Sequence, residues 1–260
     1  CGCDKTTPSL VMGACSVNIP TIVVSGGPML TGKYKGHDIG TSDVWRFNEA
    51  YKTGQMSADE FREAEACMGR SRGHCAVMGT ASTMACMVEA LGLSLPGNAA
   101  IPASDSRRKV LAHYSGMRIV EMVKENLRLS DILTREAFEN AIKVNAAIGG
   151  STNAVIHLLA MAGRIGVELD LNDFDVHSRG VPLLANLQPS GAFFMEDFYY
   201  AGGLPIVLKT IGDSLHKDAI TANGKTIWEN VQNAENFDES VIRTLDNPFM
   251  ANAGITILRG

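Results

Sequence analysis

Residues 21–28 read Thr-Ile-Val-Val-Ser-Gly-Gly-Pro, an apolar, β-branched run that ends in a glycine- and proline-rich turn. Residues 181–191 repeat this design, with Val-Pro-Leu-Leu-Ala-Asn-Leu followed by Gln-Pro-Ser-Gly. Such runs are typical of buried strands, and here they alternate with helical patterns. The sequence therefore predicts an α/β fold with a mostly parallel sheet flanked by helices. Ligands bind such sheets at the loops that follow the strands.

Four segments carry apolar residues at three- and four-residue steps, which is the period of an amphipathic helix. The first two are 76–91 (Val77, Ala81, Met84, Val88, Leu91) and 105–128 (Val120, Val123, Leu127). The third is capped by Thr134, carries Phe138, Ala141 and Ile142, and runs to Gly149-Gly150. The fourth is capped by Ser151 or Thr152, carries Val155, Leu158, Leu159 and Ala162, and ends at Gly166. These segments supply most of the expected core.

The pattern changes near residue 213. Residues 220–225 resemble a hairpin turn, and 254–260 resemble a strand. We therefore predict an α/β domain over 1–212, and a connector with the first strands of a second, β-rich domain over 213–260. Because the chain opens on Cys1 within an apparent motif and stops after a strand-like run, we expect a fragment of a longer chain, with the first domain truncated at its N-terminus.

Composition narrows the function classes. The 260 residues are 45% hydrophobic and 20% charged, as in ordinary globular proteins. The net charge of -5 disfavours binding to nucleic acid. No apolar run approaches the roughly 18 residues of a membrane span, so we expect no membrane partner and a cytoplasmic location. Six cysteines are too sparse for a disulfide scaffold, which favours reduced thiols or metal ligands.

Residues 27–34, Gly-Pro-Met-Leu-Thr-Gly-Lys-Tyr, nearly match a phosphate-binding P-loop. The match fails because Tyr34 cannot offer the short-chain hydroxyl that magnesium requires, and because Pro28 lacks a backbone donor. We interpret the segment as a structural turn.

The cysteines divide by context. Cys15, Cys67 and Cys86 lie in helical or small-residue runs and are interpreted as packing or surface residues. Cys3 and Cys75 adjoin polar or glycine-rich sequence, and Cys75 precedes a predicted helix whose dipole would stabilise a thiolate. No C-x-x-C pair marks a metal site, so a structural role for these two stays open.

Four other polar residues are candidates for the site. His157 is interpreted as a core residue and His74 as a neighbour of Cys75 that orients near the site. Glu196 and Asp197 precede aromatic residues and are interpreted as a helix cap in preference to a substrate contact.

Residues 3–7, Cys-Asp-Lys-Thr-Thr, combine a soft sulfur ligand with a hard oxygen ligand. This mixture suits two unlike metals, with thiolate for iron and carboxylate for magnesium. A polar loop with a surface ion pair is the alternative that the segment alone leaves open.

Six segments together resemble the dihydroxy-acid and phosphogluconate dehydratase family. They are 2–8 (Gly-Cys-Asp-Lys-Thr-Thr-Pro), 24–29 (Val-Ser-Gly-Gly-Pro-Met), 73–84 (Gly-His-Cys-Ala-Val-Met-Gly-Thr-Ala-Ser-Thr-Met), 137–141 (Ala-Phe-Glu-Asn-Ala), 149–154 (Gly-Gly-Ser-Thr-Asn-Ala) and 196–205. The form around Cys75 resembles the branch that acts on aldonic (sugar) acids. The alternatives are the dihydroxy-acid dehydratase of branched-chain amino-acid biosynthesis and a non-catalytic metal- or ligand-binding α/β module.

The resemblance implies a lyase that dehydrates an aldonate to a 2-keto-3-deoxy acid with an iron–sulfur cluster, 2Fe–2S in preference to 4Fe–4S, and Mg²⁺. It implies that Cys3 and Cys75 ligate the cluster, that Asp4 binds magnesium, and that Lys5 is carbamylated to become a further magnesium ligand. Cys1 stands where glycine is common in relatives, and the Cys-Asp-Lys match favours Cys3 as the ligand.

The resemblance further implies a homo-oligomer, a dimer or tetramer, as the full-length protein. It places a third cluster cysteine and one acidic ligand upstream of this chain, and another acidic ligand and a serine base beyond Gly260. The isolated fragment is accordingly expected to be inactive.

Overall fold

The computed structural model describes residues 1–252, 255–258 and 260. The predicted closing strand over 254–260 falls partly outside these residues, and the described positions 255–258 form no regular strand. The α-helices of the described residues are α1 (Thr6–Val17), α2 (Val44–Lys52), α3 (Ala58–Met68), α4 (Thr80–Ala90), α5 (Ser106–Glu125), α6 (Leu129–Ile132), α7 (Arg135–Ala147), α8 (Asn153–Ile165), α9 (Leu171–Ser178), α10 (Met195–Tyr200), α11 (Leu204–Thr210) and α12 (Ile227–Val231).

The fold combines these helices, which hold about half of the chain, with one small sheet. Strand β1 (Gly32–Tyr34) pairs antiparallel with β2 (His37–Ile39), and Gly32 faces Ile39. The turn between them places Lys35 and Gly36 at positive φ, as a tight two-residue hairpin requires. This hairpin lies where the P-loop pattern ends. A strand begins at Gly32 where a P-loop would have a helix, which agrees with the rejection of a P-loop.

The mostly parallel sheet is a wrong prediction for the described residues. Both apolar runs are extended, but they pair with single residues of loops: the Val23 N–H donates to the Leu93 carbonyl at 2.7 Å, and Leu183 and Ala185 form isolated antiparallel bridges. Residues 183–187 are buried, whereas in the first run Val23 is buried and Ile22 and Val24 are half-buried. Burial without a continuous ladder gives extended segments that are not strands of a sheet.

Helix α4 forms the centre of the core, because every residue from Ala81 to Ala90 is buried. Helices α7, α8 and α11 pack against it. A smaller cluster joins the hairpin to α2 and α3 through Ile39, Phe47 and Met68. Residues after 213, among them Ile227 and Ile242, lie in the same main core as α4. The division of the chain at 212/213 stays a prediction.

Local signals set most helix ends. The Thr134 hydroxyl accepts from the Ala137 N–H and begins α7, and Gly166 at φ +83 ends α8, both as predicted. In contrast, α4 begins at Thr80 and not at residue 76. Residues 76–78 form bends that are held outside the helix by hydrogen bonds from the Met78 N–H to the Gln188 carbonyl and from the Met195 N–H to the Ala76 carbonyl, each 2.8 Å long.

The apolar face predicted for helix 105–128 is wrong. Val120 and Val123 are 52% and 61% exposed, whereas Leu111 and Met122 are buried and Leu127 packs on the edge of the core. The buried face instead runs through Leu111 and Met122, and the buried Arg108 of this face bonds to the loop that precedes the helix.

Among the described residues, no helix has both the length and the apolar character needed to cross a membrane.

Adjacent residues on α5 test this orientation. Met122→Ala removes a fully buried side chain and should lower the free energy of unfolding by about 2–5 kcal/mol. Val123→Ala should change it by less than about 0.5 kcal/mol because Val123 is exposed. Denaturant unfolding of both variants measures the difference, and equal losses would contradict the observed orientation of α5.

Candidate functional site

The candidate site begins in the turn that leads into α1. The Cys3 N–H donates to the Thr6 hydroxyl at 2.9 Å, and the Cys3 carbonyl accepts from that hydroxyl at 3.1 Å and from the Thr7 N–H at 3.3 Å. Lys5 is the N-cap residue of α1 and already has helical backbone angles. These bonds fix the backbone while the side chains of Cys3, Asp4 and Lys5 stay accessible to solvent.

The three successive side chains converge. The Cys3 sulfur lies 3.6 Å from Asp4 Oδ1, and Lys5 Nζ lies 3.7 Å from Asp4 Oδ2. The side chains of Lys5 and Asp4 are 60% and 45% exposed, so this ion pair contributes little to folding stability. The turn therefore presents a sulfur, an oxygen and a nitrogen donor on one accessible surface.

Helix α8 supplies two further contacts to Lys5. Lys5 Nζ donates to Asn153 Oδ1 at 3.1 Å, and it lies 3.4 Å from His157 Nε2. Asn153 and His157 are four residues apart on one helix, so they share a face. Burial, and secondarily the Lys5 charge, lower the pKa of His157, while Asp4 raises it. His157 is half-buried and contacts Lys5, so its interpretation as a core residue is wrong and it lines the candidate site.

Hydroxyl groups orient the Asn153 amide. Asn153 Nδ2 donates to Thr80 Oγ1 at 3.2 Å and to Ser151 Oγ at 3.1 Å, and the two hydroxyls lie 2.8 Å apart. The Ser151 N–H donates to the Thr83 hydroxyl at 2.9 Å. These bonds join the first turn of α4 to the start of α8, so Asn153 Oδ1 is left to face Lys5.

A glycine loop, residues 25–29, connects the segments that carry Cys3 and Cys75. The Gly26 N–H donates to the Cys1 carbonyl at 2.6 Å. On the other side, the His74 N–H donates to the Gly27 carbonyl at 3.0 Å, and the Met29 N–H donates to the His74 carbonyl at 2.8 Å. The segments 1–3 and 73–75 therefore flank the same loop, and the side chains of Cys3 and Cys75 are both exposed beside it.

Gly27 allows this close approach. Its φ is +89, and a Cβ there would meet the Ile101 carbonyl oxygen at 2.5 Å and the Ala103 nitrogen at 2.9 Å. Left-handed φ angles favour glycine, and the contact leaves no room for a side chain. The loop thus rests directly on the 101–103 backbone.

Buried polar groups support the glycine loop from behind. Asn98 Oδ1 accepts from the Ser25 N–H at 2.9 Å and from Arg108 Nη1 at 3.2 Å. The Glu89 carboxylate accepts from the Gly97 and Ala99 N–H groups, both at 2.7 Å. Burial raises the pKa of Glu89 to about 7, against the lowering effect of these two bonds, and burial lowers the pKa of Arg108 to about 10.

The other thiols are less available. Burial raises the pKa of Cys15 to about 11 and that of Cys86 well above its usual range. Both are packing residues, as predicted, and Cys67 packs at the edge of the small cluster. Cys1 packs partly against the main core, with its sulfur 4.0 Å from the Val24 carbonyl oxygen. All six cysteines are free.

The structure changes two predictions, one about Cys75 and one about His74. Cys75 lies five residues before the start of α4, so the helix dipole is not the source of any thiolate stabilisation there. His74 is buried, burial lowers its pKa, and its Nε2 has no hydrogen-bond partner among the described residues. Its backbone carries the contact with the glycine loop.

The carboxylate pair on α10 is structural. Asp197 Oδ2 accepts from the Phe194 N–H at 2.8 Å and caps the helix, as predicted. Glu196 Oε2 accepts from the Thr31 N–H at 2.8 Å, which ties α10 to the segment before β1.

Within residues 1–252, 255–258 and 260, no group of three or more His, Cys, Asp or Glu side chains is arranged to hold a metal ion. The turn before α1 presents one exposed thiol, one carboxylate and one lysine nitrogen, and Cys75 carries a second exposed thiol on the segment that borders the glycine loop. This set matches in type the soft and hard ligands that iron and magnesium prefer.

Sequence reasoning missed Asn153 and His157 as partners of Lys5. Both lie in the first turns of α8, directly after the Gly-Gly-Ser-Thr corner. Their four-residue spacing was the available signal, but the partner is 148 residues away in sequence.

A matched pair of glycines tests the close approach at the loop. Gly27 and Gly36 both have positive φ, but only at Gly27 would a Cβ collide with backbone. Gly36→Ala should cost about 1 kcal/mol for its backbone conformation alone. Gly27→Ala should cost clearly more, above about 3 kcal/mol, because the loop must also move. Thermal and denaturant unfolding measure both, and equal costs would show that the loop accommodates a methyl group.

Comparison with known proteins identifies the family of the chain. A sequence model of the N-terminal part of the dihydroxy-acid/6-phosphogluconate dehydratases matches residues 1–230. The chain is 62% identical to the L-arabonate dehydratase of Azospirillum brasilense and 57% identical to the L-arabinonate dehydratase of Rhizobium leguminosarum bv. trifolii, over 100% of its own length and 45% of theirs. It is 45% identical to the dihydroxy-acid dehydratase of Methanothermobacter thermautotrophicus, over 99% of its length and 47% of the relative's. The chain thus spans about half the length of the relatives it matches, and it belongs to the dihydroxy-acid/6-phosphogluconate dehydratase family.

Proposed function

We propose that this chain is part of a hydro-lyase that removes water from an aldonic acid and forms a 2-keto-3-deoxy acid, with an iron–sulfur cluster and Mg²⁺. The observation that carries the proposal is the convergence of Cys3, Asp4 and Lys5 in one accessible turn beside the loop that also borders Cys75. Identity favours the sugar-acid branch, because the arabonate and arabinonate dehydratases are 57–62% identical and the dihydroxy-acid dehydratase of M. thermautotrophicus is 45% identical.

The reaction sets the requirements for the site. A proton must leave the carbon beside the carboxylate, and hydroxide, a poor leaving group, must depart from the next carbon. When bound, Mg²⁺ and a cluster iron supply positive charge and Lewis acidity for these two events. In this chain, the residues proposed to hold them are Cys3 and Cys75 for the cluster, with 2Fe–2S favoured, and Asp4 and Lys5 for magnesium.

The donor set fits these roles. A thiol must lose its proton to ligate iron, and desolvation opposes this at Cys15 and Cys86. Cys3 and Cys75 are exposed. Lys5 fits magnesium only after its amine is converted to a carbamate, because an ammonium group has no lone pair to offer. Asn153 and His157 bind the Lys5 nitrogen and hold it beside Asp4.

We extend this proposal to the domains, the location and the assembly of the protein. We place the dehydratase N-terminal domain at 1–212 and the start of a β-rich C-terminal domain at 213–260. The full-length protein is proposed to act in the cytoplasm as a homo-oligomer, a dimer or tetramer, on a small sugar-acid substrate.

The substrate test uses the full-length protein with reconstituted iron–sulfur cluster and Mg²⁺. L-arabonate, xylonate and gluconate are compared with dihydroxyisovalerate, and formation of the 2-keto acid is measured. We expect kcat/KM to be at least about tenfold higher for one of the aldonates, a preference worth about 1.4 kcal/mol of transition-state binding. A preference for dihydroxyisovalerate would show instead that the protein catalyses the dehydration step of branched-chain amino-acid biosynthesis. No turnover of any of these acids by cluster-loaded protein would reject the proposed activity.

Cysteine variants of the same protein test the cluster ligands. Cys3→Ser and Cys75→Ser should each lose most of the bound iron and sulfide together with activity, because serine does not replace a thiolate as a soft ligand. Cys67→Ser, which alters a half-buried thiol of the small cluster, is the matched control and should retain both. Iron and sulfide analysis gives the result independently of turnover. Wild-type iron content in Cys75→Ser would remove that residue from the ligand set.

A further inference from the structure

The contacts of Lys5 raise a question of hydrogen-bond polarity. Asn153 Oδ1, at 3.1 Å, is an acceptor, and His157 Nε2, at 3.4 Å, accepts when the imidazole carries its proton on Nδ1. Two acceptors suit an ammonium group, which has only protons to offer, and they suit the N–H groups of a neutral amine. A carbamate on Lys5, which the proposed function requires, would instead present one N–H donor and two anionic oxygens. The same surroundings would then have to supply a donor.

Asn153 is built to supply that donor. Its amide has an oxygen and an NH₂ group at nearly equal positions, so turning the amide over exchanges an acceptor for two donors. In most environments this would break the bonds on the other side. Here the other side consists of the Thr80 and Ser151 hydroxyls, which accept from Nδ2 in the present orientation.

Hydroxyl groups work in both directions because each has one proton and two lone pairs. Thr80 and Ser151 lie 2.8 Å apart and share one bond, which uses one of their two protons. The second proton is free to be donated to Oδ1 if the amide turns. The network can therefore remain satisfied with Asn153 in either orientation.

We propose that Asn153 is a positioning residue that holds the side chain at position 5 in both of its chemical forms. It accepts from Nζ–H of the amine through Oδ1 and donates to a carbamate oxygen through Nδ2. His157 remains the acceptor for the N–H that both forms keep. The inference rests on the proposed function in so far as Lys5 is carbamylated.

The covalent change itself balances without further groups. The lone pair of the neutral Lys5 amine forms a bond to the carbon of CO₂, one carbon–oxygen π pair moves onto oxygen, and one Nζ proton passes to water. The product carries one negative charge and one N–H. Asn153 takes no part in this bond formation and acts only by binding the product.

The experiment tests separately the hydrogen-bond acceptor and the hydrogen-bond donor of the Asn153 side chain. Asn153→Asp keeps an oxygen acceptor for the amine but has no donor, and its charge repels a carbamate. Asn153→Ala removes both functions without adding charge. Asn233→Asp places the same charge change at an exposed position on the polar surface and is the control. Full-length proteins are equilibrated with ¹³C-bicarbonate, and the carbamate on Lys5 is quantified by ¹³C NMR, with iron content and thermal unfolding measured alongside.

We expect wild type and Asn233→Asp to carry equal carbamate, Asn153→Ala to carry less, and Asn153→Asp to fall about tenfold or more, the effect expected of a like charge at hydrogen-bond distance. All four should unfold at similar temperatures and bind similar iron. If Asn153→Asp fails to fold, Asn153→Ala decides the matter, since its carbamate should still drop below that of wild type.

Wild-type carbamate levels in a folded Asn153→Asp or Asn153→Ala protein would overturn the inference, and so would a wild-type protein with no carbamate at Lys5. The aldonate assay is a separate measurement. A protein that dehydrates aldonates with carbamate unaffected by these variants would refute only the role of Asn153. A carbamylated protein that turns over none of the tested acids would refute the proposed activity.

Discussion

The approach of four backbone segments at Gly26 and Gly27 is the constraint on which the site depends. Segment 1–3 lies against one side of this loop and segment 73–75 against the other, and the 101–103 backbone lies behind it. None of these contacts involves a side chain that performs chemistry. They are backbone hydrogen bonds and one close approach at Gly27, where a Cβ would meet the Ile101 carbonyl oxygen at 2.5 Å. Together they fix the positions of the segments that carry Cys3 and Cys75.

Such a loop needs rigid support, and the support here is polar and buried. Glu89 holds the 97–99 backbone through both carboxylate oxygens, and Asn98 connects that segment to Ser25 and Arg108. Burying these groups is costly unless their bonds are satisfied, which restricts the loop to one arrangement. The raised pKa of Glu89 shows the cost that burial imposes on its charged form. The network gives the loop a specific position that apolar packing alone would not.

The sequence predicted features that depend on neighbouring residues and failed on features that depend on distant ones. Thr134, Gly166 and Asp197 mark helix ends correctly because caps act within one turn. The apolar runs reported burial correctly, but strand pairing depends on partners that a run does not specify. Val123 was predicted to be buried because it shares a helical face with Val120 and Leu127, but the buried face of the helix runs through Leu111 and Met122. For the contact between Lys5 and α8, the spacing of Asn153 and His157 was a signal, but it does not specify a partner that is 148 residues away.

Desolvation, and not spacing along the chain, distinguishes the thiols proposed to ligate iron. A buried thiol holds its proton, as the raised pKa of Cys15 illustrates, and a protonated thiol is a poor ligand. Cys1 is close to Cys3 in sequence, but it packs partly against the core beside the Val24 carbonyl oxygen. Cys3 and Cys75 are exposed because the turn before α1 and the segment before α4 keep their side chains in solvent. The backbone around the glycine loop therefore leaves Cys3 and Cys75 exposed to solvent, and this exposure distinguishes them as the proposed ligands.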